Sequence, residues 1–277
     1  MGRVETRVYR RRAKRTKLLY SLLFLLLIGI SLLLWRGLPD NFAAEQISPQ
    51  AQSKADEGAS QKTETREITL PEERWYAIQT GVFSTEAAAL EKADAYTKRG
   101  APGTVMQEGE KWRVFIACYG DEQDAADVRA RLAANQKVET YLFTWTCPEV
   151  RLRMTGKTGQ LDAVEAGFVL MPSTAGALRD TAMELDAAQL TTQEVLAAVS
   201  ELDRQLSLWE DTVRSRFAPS QPELVKGMLQ LTDAWHGRLL RVRGSEGATA
   251  LSAALKAQAM AMYADMKQWR KIGRAHV

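Results

Sequence analysis

The chain has 277 residues, of which 45% are hydrophobic and 26% are charged, a composition that allows one or two folded units. The net charge of +3 is unevenly placed: residues 1–17 hold eight Lys or Arg side chains against Glu5 alone, so the remainder sums to −4. A mildly acidic folded part argues against a protein that binds nucleic acid through phosphate contacts.

An uncharged apolar stretch, "LLYSLLFLLLIGISLLLW", runs from Leu18 to Trp35 between two basic residues. As a helix it would span roughly 27 Å, close to the hydrocarbon thickness of a bilayer. The basic residues before it predict a cytoplasmic N-terminus, so we expect a single-pass membrane anchor with the following domains outside the cytoplasm. The alternative is a cleaved signal peptide, but the apolar run is long for one and no clear A-x-A site follows.

Residues 36–72 are rich in Gln, Ser, Ala, Glu and Lys and show no apolar periodicity. This composition is typical of a flexible linker, and we predict one between the anchor and the folded part.

Residues 73–148 show six segments in the order strand, helix, strand, strand, helix, strand. The strands are "RWYAIQT", "GTVMQE", "KWRVFIA" and "VETYLFTW"; the helices lie in "STEAAALEKADAYTKRG" and "GDEQDAADVRARLAAN". This βαββαβ order predicts an α+β fold of the ferredoxin-like type, with a four-stranded antiparallel sheet and both helices on one face.

Alternation along the strands assigns side chains to the two faces of that sheet. Ile78 and Val114 are expected to face the helices. Gln79, Arg113 and Phe115, with Lys111 beside them, are expected on the opposite face, which nothing else in this domain covers. An amide, a planar guanidinium and an aromatic surface suit a polar ligand such as a sugar chain. The alternatives are solvated side chains with no ligand, or RNA, although "EKWRVFIA" lacks the pattern of RNA-binding sheets.

Residues 149–271 contain helical periodicities after "RLRMTGKTGQ". Capping boxes, Thr191 to Glu194 and Ser220 to Glu223, mark the starts of two helices, and an earlier helix is expected from about Leu161 to Ala187. The short connections predict an antiparallel bundle of three or four helices.

Few residues suit catalysis or metal binding. Cys118 and Cys147 lie on the exported side, where a disulfide is permitted, and two unbridged apolar cysteines are equally compatible with the sequence. No zinc spacing, cofactor motif or catalytic constellation is present, so we expect a protein that is not an enzyme and needs no cofactor. The last residues, 272–277 ("IGRAHV"), read like an in-frame sequencing adapter, which predicts a non-native tail.

The stretches "YAIQTGVF" and "KWRVFIACYGDEQDA" resemble the motifs of the SPOR domain, found in bacterial cell-division and cell-wall proteins. The first motif is matched by Tyr76, Ile78, Gln79, Gly81 and Phe83, and the second in part by Arg113 and Val114, whereas "ACYG" lacks the family's Gly-Pro. The resemblance implies binding of peptidoglycan glycan strands stripped of stem peptides, with Gln79, Arg113 and Lys111 near the glycan and Phe115 in support.

We therefore expect a membrane-anchored protein that binds peptidoglycan and gathers at the septum in division or sporulation. The alternative is a scaffold whose helical bundle recruits a protein partner. The SPOR-like unit would then only target the protein to its location or serve as a structural element.

Overall fold

The computed structural model describes residues 62–274, with side chains through residue 270. The expected cytoplasmic tail, the stretch from Leu18 to Trp35 and most of the expected linker lie outside this range. Within it, no helix combines the length and apolarity that a membrane crossing requires. The last described helix continues to Arg274, and the remainder of the suspected tail lies outside the description.

Six strands and six helices are present in the described residues. In chain order they are β1 (Thr63–Leu70), β2 (Glu73–Phe83), α1 (Glu86–Thr97), β3 (Thr104–Glu108), β4 (Lys111–Tyr119), α2 (Glu122–Gln136), β5 (Tyr141–Cys147), β6 (Val150–Lys157), α3 (Thr158–Asp186), α4 (Thr192–Arg216), α5 (Glu223–Arg243) and α6 (Ala248–Arg274).

The predicted βαββαβ unit is confirmed. Its sheet has the strand order β3-β4-β2-β5, and all neighbouring strands are antiparallel. Helices α1 and α2 pack on one face: Val114 clusters with Ala89 and Ala93 of α1, and Ile78 clusters with Ala125 of α2. We call the opposite face of this sheet the helix-free face.

An irregularity interrupts the pairing of β2 with β4. The register shifts between Ile78 and Gln79 and again between Gln79 and Gly81. Ile116 and Ala117, although consecutive, both belong to the cluster under α2, so strict alternation fails here. The shift is typical of a β-bulge, and it turns Cys118 towards the helix-free face.

A two-stranded antiparallel ribbon of β1 and β6 was not predicted, and it corrects two boundaries. Residues 63–70 form a strand rather than part of a linker, and residues 150–157 form a strand rather than the start of the bundle. In both strands exposed side chains alternate with partly or fully buried ones. Only a few positions, such as Leu70 and Leu152, are both apolar and buried. Paired residues of the two strands lie 80 or more positions apart in the chain, where local patterns carry no information.

Helices α3 to α6 form the bundle that the sequence predicts. The capping box at Thr191 is present: Glu194 N donates to the Thr191 hydroxyl at 3.2 Å, and Thr191 N donates to the Glu194 carboxylate at 2.8 Å. The predicted box at Ser220 is wrong, because α5 begins after Pro222 without a side-chain cap. Helix α3 is longer than expected and contains Pro172.

The two cysteines are not joined by a disulfide. Cys118 on β4 and Cys147 at the end of β5 are both buried in the core that the sheet shares with the bundle. Both thiols are therefore enclosed by the apolar side chains of this core.

Candidate functional site

The helix-free face carries the side chains that the sequence predicts there. Gln79 pairs with Phe115 across β4 and with Tyr141 across β5, and Arg113 pairs with Val82 and Met106. Because cross-strand partners project to the same face of a sheet, these side chains form one continuous surface.

Much of this surface is covered by the bundle, which the sequence did not predict. The ring of Tyr263 on α6 stacks on Trp75 with centroids 4.5 Å apart and on Trp145 at 5.9 Å. Its hydroxyl donates to the carbonyl oxygens of Glu73 at 2.8 Å and Trp145 at 3.2 Å. The Arg179 guanidinium of α3 lies over the Trp75 ring at 4.6 Å. The start of β2 and the end of β5 are therefore enclosed.

The other end of the face remains accessible, and we call it the uncovered corner. Val82 is 44% exposed and Tyr141 is 52% exposed, while Lys111 is exposed and Arg113 and Phe143 are half-buried. The corner thus combines two cations with three apolar or aromatic groups on strands β2, β4 and β5.

Arg113 is held in a defined position across the corner. Its Nη1 donates to Gln79 Oε1 at 2.7 Å, and its guanidinium carbon lies 4.7 Å from the centroid of the Phe143 ring. Gln79 is buried, so its amide fixes the arginine from below. Arg113 Nε is buried and has no hydrogen-bond partner among the described residues. A planar cation stacked on a ring keeps its remaining N–H donors at the ring edge, where oxygen acceptors of a ligand can reach them.

Phe115, expected to support a ligand, is fully buried and offers no surface to one. Its ring meets Trp145 edge-on with centroids 4.8 Å apart and lies 5.6 Å from the Phe143 ring. Phe115 therefore supports Phe143, and Phe143 is the ring that a ligand could reach.

Tyr141 and Phe143 were missed as site residues. The alternation in "VETYLFTW" already places both on one face, and pairing β5 with β2 would have put them beside Gln79. No local sequence pattern could have shown that Tyr263 contacts the sheet, because it lies about 190 residues from its partners Glu73 and Trp75.

The other motif residues have structural positions. Tyr76, Ile78 and Val114 pack on the side of α1 and α2. At Gly81 an added Cβ would lie 2.7 Å from the Phe83 ring, so the ring occupies the space that a side chain would need. These residues shape the exit of β2 towards α1.

No group of His, Cys, Asp or Glu among the described residues is arranged to hold a metal ion. His236 lies between two carboxylates, with Nδ1 2.6 Å from Asp203 and Nε2 3.2 Å from Glu210. It therefore links α5 to α4 within the bundle.

Residues 73–143 match the family model of the SPOR domain. The match covers about a quarter of the chain and includes β2 through the first part of β5. No curated protein and no solved structure matches the chain.

Proposed function

Because residues 73–143 form a SPOR domain, we propose that the chain is a cell-wall-binding protein whose helix-free face binds peptidoglycan glycan strands. The observation that carries this proposal is Arg113, stacked on Phe143 and fixed by the buried amide of Gln79 at an accessible corner of the sheet.

The chemistry of the corner suits a polysaccharide. Phe143 and Tyr141 offer apolar ring surface to the C–H face of a sugar, and the free donors of Arg113 and Lys111 reach hydroxyl and acetamido oxygens. A preference for strands without stem peptides is what the SPOR match implies.

The location follows from the same proposal. A single-pass anchor at residues 18–35 would place the SPOR domain outside the cytoplasmic membrane, where peptidoglycan lies. Glycan strands stripped of stem peptides would then bring the protein to the septum.

Sedimentation with purified cell-wall sacculi tests the binding. The full chain should sediment with sacculi whose stem peptides have been removed, and Arg113→Ala should weaken binding about tenfold or more, because it removes several charge-assisted hydrogen bonds. Arg151→Ala is the matched control, since Arg151 is an exposed arginine on β6 outside the corner. Equal sedimentation of both variants and the wild type would contradict the proposed site.

A fluorescent fusion of the full chain tests the location. Septal signal that is lost in Arg113→Ala supports targeting by glycan. Septal signal that survives in a variant unable to bind sacculi would favour the alternative, in which the helical bundle recruits a protein partner; that recruitment stays a prediction.

A further inference from the structure

Helix α6 marks the end of the accessible surface. Beyond the uncovered corner the helix-free face continues as the aromatic surface of Trp75 and Trp145, and Tyr263 lies on both rings. The rings that a longer ligand would meet next are therefore occupied by the chain itself.

The packing beneath α6 has the character of a protein core. Trp75, Phe115, Cys118 and Trp145 are each at most 2% exposed, and they belong to one apolar cluster with residues of all four bundle helices. Separating α6 from the sheet would expose these rings to water, which opposes its movement as a lid.

Polar contacts fix α6 at the same place. Arg270, only 3% exposed, donates from Nη1 to the carbonyl oxygen of Pro71 at 2.8 Å and lies 3.7 Å from the Glu73 carboxylate. Lys267 forms an ion pair with Glu108 of β3 at 2.9 Å. A buried arginine that loses its carbonyl partners is strongly disfavoured, so these contacts hold the helix rather than release it.

We propose that α6 is a fixed wall that confines the ligand to the uncovered corner, so that this chain recognises a short glycan segment. Along β2 the segment has roughly 10 Å between Val82 and Gln79 at the usual rise per residue, and farther along the strand Trp75 is covered by Tyr263 of α6. This inference rests on the proposed function, and it adds that a strand running along the whole sheet face is not accommodated.

Binding of the full chain to soluble, peptide-free glycan oligomers of increasing length tests the wall. The tetrasaccharide is already longer than the corner, so affinity should stay level from the tetrasaccharide through the octasaccharide, apart from the small gain due to additional binding registers. A further gain of about tenfold or more between tetrasaccharide and octasaccharide would overturn the wall, because the longer ligand would be using surface beyond the corner. Failure of every length to bind would instead contradict the proposed function, and the inference would fall with it.

Hydrogen exchange distinguishes a helix α6 that stays on the sheet from one that moves away when the ligand binds. With the octasaccharide at saturation, exchange of backbone amides in α6 should be unchanged or slower than in the free chain. Faster exchange across α6 on binding would show that the helix leaves the sheet, which would overturn the proposal.

Discussion

At the scale of single residues, Tyr263 joins the bundle to the sheet through both its ring and its hydroxyl. The ring stacks on two tryptophans, and the hydroxyl donates to main-chain carbonyl oxygens of β2 and β5. Burial raises the pKa of this phenol, so it remains a hydrogen-bond donor well above neutral pH.

Tyr263→Phe separates these two contributions. We expect the variant to lower the free energy of unfolding by about 1 kcal/mol, because a buried hydrogen bond is lost while the ring stays in place. Urea unfolding measures this change. Tyr141→Phe is the control. Tyr141 is exposed, so removing its hydroxyl should lower the free energy of unfolding by less than about 0.5 kcal/mol. Equal effects of the two changes would show that the Tyr263 hydroxyl does not stabilise the interface.

Cys118 makes the stability depend on pH in the alkaline range. Burial raises the pKa of its thiol from 9.0 to about 12, so the folded protein keeps a proton that the unfolded chain releases. The free energy of unfolding should therefore fall as pH rises above about 9. Burial also raises the pKa values of Tyr119 and Tyr263 above the usual 10.0, so these phenols add to the decline at higher pH.

Cys118→Ala should flatten this decline, most clearly between about pH 9 and pH 10, where the tyrosines contribute least. Urea unfolding at a series of pH values measures the slope. An unchanged slope in the variant would show that the thiol ionises as readily in the folded protein as in the unfolded chain.

At the scale of elements, α3 packs closely against α4 and α5 at Gly167. An added Cβ there would lie 2.5 Å from Cζ2 of Trp209 and 2.6 Å from Cε of Met228, so both neighbouring helices touch α3 where it has no side chain. The indole of Trp209 also donates to the Ala163 carbonyl oxygen at 2.8 Å.

Two alanine substitutions in this one helix should therefore have opposite signs. Gly167→Ala should lower the free energy of unfolding by roughly 1–3 kcal/mol through overpacking. Gly176→Ala should raise it by about 0.5–1 kcal/mol, because the nearest neighbouring atom is 3.8 Å away and alanine favours a helix. Thermal or urea unfolding gives both values, and a destabilised Gly176→Ala would contradict the open space seen beside that residue.

The elements that the sequence predicts are those with a local pattern. Alternation in β2 and β4 placed Gln79 and Arg113 on one face, and the capping box at Thr191 marked the start of α4. The β1–β6 ribbon and the packing of α6 on the sheet were not predictable, because each depends on contacts between distant segments. The bulge near Gln79 was missed for another reason: alternation cannot show that Ile116 and Ala117 face the same side.

At the scale of the whole molecule, the sheet and the bundle share one core. The apolar cluster that contains Trp75 and Trp145 also contains residues of α3, α4, α5 and α6. The region was expected to divide into a SPOR domain and a separate bundle, yet the described residues all belong to one compact unit.

The shared core predicts a single cooperative unfolding transition for the described region. Near-ultraviolet circular dichroism reports the tryptophans of both parts, far-ultraviolet dichroism reports mainly the helices, and the two curves should coincide. A fragment of residues 73–147 alone should be much less stable, because Trp75, Phe115 and Trp145 lose their cover. Two separated transitions, or a fragment as stable as the whole, would contradict one shared core.

Chemical-shift mapping tests most directly the proposal that the uncovered corner binds glycan. Amide and side-chain resonances of residues 62–274 would be followed by NMR during titration with a peptide-free glycan tetrasaccharide. If the corner binds glycan, the largest shifts should occur at Gln79, Arg113, Tyr141 and Phe143, and α3 to α5 should be unaffected. Shifts confined to the bundle, or to the side of the sheet under α1 and α2, would contradict it.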